Sequence, residues 1–183
     1  MTEITRVVFK GKECLKIKDA VLGPWRSNFE GAKNPNTGDN ARCFYIRLTP
    51  EQAQELMDVD GFTNIKITKP DPDGRYEPEW YAKIKIKFHD DPEEAWKNPA
   101  LYLVASNGKL TQLTPELISE LNMDRTKFSK IDLTVGYAEG DTRDGAHYKS
   151  MWCNEGLFTP AVTSAWSDEY NMTDIPEDSE GGF

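Results

Sequence analysis

Residues 80–88 alternate between apolar and polar positions without a break. Trp80, Ala82, Ile84, Ile86 and Phe88 fall on one face, and Tyr81, Lys83, Lys85 and Lys87 on the other. A period of two is that of a strand with one face buried. Arg42–Leu48 repeats it, with Phe44, Ile46 and Leu48 opposed to Cys43, Tyr45 and Arg47. Shorter alternations predict strands at residues 4–9, 15–21, 65–67, 101–105, 131–135 and 146–153. Two helix starts share one design, Thr49-Pro50-Glu51 and Thr114-Pro115-Glu116, with a threonine cap, proline in the first turn and an acid behind it. Ala53, Leu56 and Met57 give the first helix its apolar stripe; Leu117, Ile118 and Leu121 serve the second. Residues 34–40 and 70–78 carry the proline, glycine and asparagine of loops, residues 136–145 read as a loop or hairpin end, and residues 157–166 as a segment wrapping the body. The expected fold is mainly β: about eight closely spaced strands and two short helices, arranged as an antiparallel barrel or sandwich with insertions.

The alternation gives out toward the end of the chain. From Asp168 to Phe183 there are six acids, no Lys or Arg, and Pro176 and Gly181-Gly182. Such a segment has too little apolar surface to offset the entropy of ordering it. The expected organisation is therefore a folded domain over residues 1–166 and a disordered acidic tail over residues 167–183. This division changes the meaning of the charge. The chain carries −9 in all, but with the last sixteen residues set aside, 25 acids face 22 bases. The acidic pI thus reports the tail more than the body, and it does not exclude a nucleic-acid partner.

Other chemistry is sparse. No apolar run is long enough to span a membrane, and residues 1–13 have no signal-peptide core. Cys14, Cys43 and Cys153 lie far apart with no C-x-x-C, as expected of small buried thiols in a reducing compartment. Asp71, Asp73 and Gly74 superficially match a calcium loop, but that register puts Lys69 and Trp80 at ligand positions, so calcium is rejected. His89-Asp90-Asp91 with Glu93-Glu94 reads as a solvated turn rather than a metal site, because no second ligand cluster accompanies it. Phosphate-binding, serine-hydrolase and zinc-protease motifs are absent, so neither catalysis nor a cofactor is expected.

The cationic strand faces are the more informative feature. Alternate residues of a strand stand about 6.6 Å apart, close to one extended sugar–phosphate step. Lys83, Lys85 and Lys87 could follow a nucleic-acid backbone while Tyr81 stacks on a base; Tyr45 and Arg47 repeat the combination on another strand. A lysine row can equally keep an exposed sheet soluble and blunt its edge.

Two resemblances converge on the first of these readings. The segment Asp174-Ile175-Pro176-Glu177-Asp178 with Phe183 resembles the acidic, aromatic-ended tip of bacterial and phage single-stranded-DNA-binding proteins. It departs from the bacterial tip in having Ser179-Glu180-Gly181-Gly182 before the Phe. Asn28-Phe29-x-Gly31, Arg42-x-Phe44, Asp132-Leu133, Tyr137 and Tyr148-Lys149-Ser150-Met151-Trp152 resemble a tailed-phage family of such proteins with an OB-type barrel. The resemblance implies sequence-independent binding of single-stranded DNA in phage replication or recombination, in the host bacterial cytoplasm, with no catalytic site. Phosphate contacts are then expected from Arg42, Arg47, Lys83, Lys85, Lys87 and Lys149, and stacking from Tyr45, Tyr81, Trp25, Phe29 and Trp152. Asp174, Glu177, Asp178, Glu180 and Phe183 would recruit replication or recombination proteins, and a homodimer stays open. Two alternatives from other classes are an acidic phage-encoded inhibitor that occupies a host nucleic-acid-binding site, and a metal nuclease acting through carboxylates.

Overall fold

The computed structural model describes residues 1–161. Nine strands and two α-helices follow in the order β1 (Glu3–Phe9), β2 (Lys12–Lys18), β3 (Arg42–Leu48), α1 (Pro50–Asp58), β4 (Ile65–Ile67), β5 (Trp80–Ile86), β6 (Ala100–Val104), β7 (Leu110–Gln112), α2 (Pro115–Glu120), β8 (Phe128–Asp141) and β9 (His147–Pro160). Short 3-10 turns lie at Pro92–Lys97 and Met123–Arg125. The mainly β architecture with two short helices is that expected from the alternation and the threonine caps. Thr49 accepts the Gln52 N–H at 3.1 Å while the Gln52 side chain accepts the Thr49 N–H at 3.0 Å, a reciprocal cap at the start of α1.

The strands form one mixed sheet along the path β1-β2-β8-β9-β5-β3, with β4 on β5, β6 on β9 and β7 on β6. Two ladders, β5–β9 and β6–β9, are parallel. The ladder is open between β2 and β3, and the chain leaving β2 crosses that gap. Ala20 N–H bonds to Ile131 O at 2.8 Å, Gly23 N–H to Tyr45 O at 2.9 Å and Arg47 N–H to Val21 O at 2.9 Å. Isolated bridges Leu22↔Ile46 and Asn28↔Cys43 extend the contact. The result is a partly open, five-stranded OB-type barrel of β2, β3, β5, β9 and β8, in which β3 and β5 are the second and third barrel strands.

The inward faces fill the barrel. Ile17, Phe44, Ile46, Ile84, Met151 and Phe158 are fully buried, and Ile118 of α2 joins them. Phe29 lies 5.4 Å from Phe44 and 5.5 Å from Phe158, ring centroid to centroid. Each ring buried in this cluster removes a large apolar area from water, which helps to stabilise so open a sheet.

Two segments differ from the sequence reading. Residues 136–145 are largely strand, and residues 157–160 continue β9 instead of wrapping the body, so β8 and β9 form one long antiparallel ribbon. Its glycines, which read as loop punctuation, make room for neighbours. A Cβ on Gly136 would stand 2.7 Å from Asn154 Nδ2, and one on Gly140 would stand 3.0 Å from the Tyr148 hydroxyl. The acidic tail expected at residues 167–183 lies outside the described residues.

Candidate nucleic-acid interface

Register assembles the outer face. Because β3 and β5 are antiparallel, Cys43 lies opposite Lys85, Tyr45 opposite Lys83, and Arg47 opposite Tyr81. All six alternate with buried residues, so they share the face turned away from the core. Lys87 continues the row past the end of β5 and is exposed. On the other edge of β5, β4 places Lys66 opposite Tyr81, and parallel β9 places Trp152 opposite Lys85.

The aromatic rings form two groups. Tyr81 stands edge-on to both Trp25 and Tyr45, with centroids 5.9 Å away in each case. Trp25 is half exposed. Toward the other end, the Lys85 ammonium lies 5.4 Å from the centre of the Trp152 ring. Trp152 Nε1 is buried and has no hydrogen-bond partner.

The cations differ in how they are occupied. No carboxylate among the described residues pairs with Lys66, Lys83, Lys85 or Lys87, whereas Arg47 Nη1 sits 3.5 Å from Glu79 Oε1. Arg47 also packs on Gly23, whose φ is +130° and where a Cβ would lie 2.5 Å from Arg47 Nε. Only glycine fits there without moving the guanidinium. Burial, with Cys43 beside it, pushes the Tyr45 phenol up to about 12. Burial likewise raises the Cys43 thiol, against the pull of nearby Lys83. Both groups are therefore neutral at ordinary pH, and the face is a cationic surface with neutral rings set into it.

Eight of the expected residues converge here: Trp25, Tyr45, Arg47, Tyr81, Lys83, Lys85, Lys87 and Trp152. Three do not. Phe29 is 1% exposed and is part of the core, so its ring has no free face for a base. Arg42 shares the inward parity of Phe44; it donates to the Phe29 carbonyl, and its guanidinium lies 5.6 Å from the Phe88 ring centre. Lys149 shares the parity of buried Met151; its ammonium donates to Asp60 O at 2.6 Å and lies 4.2 Å from the Tyr137 ring centre and 4.7 Å from that of Phe62. Arg42 and Lys149 are each held by the fold on the far side of their strand from the face. Asp174, Glu177, Asp178, Glu180 and Phe183 lie outside the described residues.

Sequence reasoning missed Lys66, although its alternation with Ile65 and Ile67 marked it as outward-facing. It also missed Glu79 as the partner of Arg47, since that pair depends on tertiary proximity. In the loop that carries His89, the acids serve the turn: Asp91 accepts the Glu93 N–H at 2.9 Å, and Glu94 Oε1 pairs with Lys97 at 3.0 Å. Among the described residues no group of three or more His, Cys, Asp or Glu is placed to hold a metal ion, and no helix is long and apolar enough to cross a membrane.

The strand order and pairing of the barrel define an OB-type fold. A solved structure of the single-stranded DNA-binding protein from bacteriophage Enc34 in complex with ssDNA shares this fold, with a TM-score of 0.50 over 87% of this chain and 93% of that one, at 9% identity. A C-terminal truncation of the Enc34 protein gives 0.48 over 86% and 91% at 8% identity, and gp2.5 of bacteriophage T7 gives 0.38 over 82% and 92% at 12%. No protein-family model matches the chain, and no curated protein matches it in sequence.

Proposed function

We propose that the chain binds single-stranded DNA on the outer face of β3 and β5, without sequence preference and without catalysing a reaction. The observation that carries this reading is the coincidence, on adjacent strands, of aromatic rings in mutual contact with a row of lysines that no carboxylate among the described residues neutralises. Every base offers a flat face to Trp25, Tyr45, Tyr81 or Trp152, and every linkage offers a charge to Lys83, Lys85, Lys87, Lys66 or Arg47. Neither interaction depends on base identity. The second and third strands of an OB barrel are also the common seat of oligonucleotides, and the Enc34 protein of like fold is a single-stranded DNA-binding protein.

On this reading the protein acts in phage DNA replication or recombination, coating exposed strands in the host cytoplasm. The acids from Asp168 to Glu180 form a second polyanion that competes for the same cationic face. When DNA displaces them, the segment ending in Phe183 is free to recruit partner proteins. Deleting residues 177–183 should tighten binding to oligo-dT at low salt; unchanged affinity would remove the competition step.

The test of the main reading is a fluorescence titration. Intrinsic tryptophan emission should quench on adding oligo-dT, through Trp25 and Trp152, and the affinity should fall steeply with salt. Duplex DNA should quench far less, because its base faces are already stacked. A folded protein that shows no quenching with oligo-dT at low salt would sink the reading and favour a protein partner for this face.

A further inference from the structure

The two aromatic groups on the face are separated by a fixed distance, and that distance sets the form of the strand. Tyr81 and Lys85 lie on one face of β5, four residues apart, and Trp152 stands beside Lys85 on β9. Strand rise and inter-strand spacing put the Tyr81 group about 14 Å from Trp152. Lys83 lies midway between them; Tyr45, opposite it on β3, has its ring against Tyr81, with centroids 5.9 Å apart, and so belongs to the first group.

From this spacing we infer that the minimal unit recognised is three nucleotides in extended form, with the first and third bases stacked at the two aromatic groups and the middle base unstacked. The inference rests on the single-strand reading given above and deepens it. Two extended sugar–phosphate steps, each close to the 6.6 Å spacing of alternate strand residues, span the gap. A helically stacked strand rises only about 3.4 Å per nucleotide, and its bases cover one another, so it cannot present a free face at each end of the gap. Lys83 stands where the linkages around the middle nucleotide pass. At the far end, the Lys85 ammonium over the Trp152 ring holds the place of the base. An arriving base displaces it sideways, toward the phosphate that the same base brings, so the cation exchanges one electron-rich partner for another.

The experiment uses the full chain and competition against a labelled long oligo-dT. Competitors are the two- and three-nucleotide oligo-dT and the three singly abasic forms of the trimer. Going from two to three nucleotides should improve competition sharply, because only the trimer engages both ends of the gap at once. An abasic site at the first or third position should cost on the order of 5- to 150-fold, the loss of one stacked base. At the middle position it should cost less than about 2-fold on the same scale. Equal penalties at all three positions, a larger penalty in the middle, or a trimer that fails to compete at millimolar concentration each overturn the spacing argument while leaving single-strand binding intact. Failure of the labelled long oligo-dT to bind at low salt is the separate result that overturns the functional reading itself.

Discussion

Cations stand beside aromatic rings at several places in the fold, and two of these sites are treated differently. On the outer face of β3 and β5, Lys83, Lys85 and Lys87 have no carboxylate partner among the described residues, and the rings beside them are partly open. At the far end of the β8–β9 ribbon, Arg6 and Lys149 meet Phe62 and Tyr137 around a cavity of about 270 Å³. There the charges are spent. Arg6 is bound by Asp60 and lies 3.2 Å from Glu55, and its guanidinium is held charged all the more firmly by Asp60. Lys149 is fixed by the Asp60 carbonyl and two ring faces. The residue types match, and what separates the proposed interface from the structural joint is whether the charges are already compensated.

The largest expected effect breaks this comparison on the open side. Reversing charge in the double variant Lys83→Glu, Lys85→Glu should weaken oligo-dT binding on the order of 100-fold or more at moderate salt, measured by fluorescence anisotropy, with the melting temperature little changed. Removing a ring is the next largest. Tyr81→Ala takes away the centre of the Trp25–Tyr81–Tyr45 group and should cost about 1–3 kcal/mol of binding, while Tyr81→Phe retains most of it.

The closed side should respond in stability instead. Lys149→Met should cost about 1–2 kcal/mol in chemical denaturation through the lost hydrogen bond and ring contacts, and leave the salt slope of oligo-dT binding unchanged. A flattened slope for this variant would mean that Lys149 reaches phosphate after all. The smallest effect concerns Tyr45. Its phenol ionises near the ordinary value of about 10 in the unfolded chain and only at about 12 in the folded one. Burial disfavours the charged phenolate, so ionisation pulls the chain toward the unfolded state: stability is unaffected by this group below pH 10 and falls as pH rises from 10 to 12. Replacing Tyr45 by Phe should flatten the alkaline limb of a stability–pH profile.

Much of the face was legible in the alternation alone. Residues 80–88 and Arg42–Leu48 showed which side chains leave the core, because a half-buried strand has no other way to satisfy its periodicity. Register was not legible. That Arg47 meets Tyr81 and Tyr45 meets Lys83 follows from a pairing between segments more than thirty residues apart. The parallel contact that brings Trp152 to Lys85 is more distant still. Lys149 shows the cost of reading a motif without its parity. Grouped with Tyr148 and Trp152 it looks like an interface residue, yet it alternates with them and points with Met151. Phe29 fails for another reason. Its segment lies between strands with no period of its own, so nothing local revealed that its ring completes the Phe44–Phe158 cluster.

The length of β9 has a mechanical consequence. This strand is bonded to β8 from Asp141↔His147 to Phe128↔Pro160 and, along its other edge, to both β5 and β6. The strand ends at Pro160, and the Ala161 N–H beyond it bonds to Lys127 O at 2.8 Å. A pull applied at Ala161 along the strand axis enters the domain through β9. The ladder bonds of β9 then share the load side by side instead of opening one at a time like a zip. Trp152 lies on the loaded strand, inside that bonded stretch. A barrel tethered through this end would keep its aromatic face in shape while it was being towed.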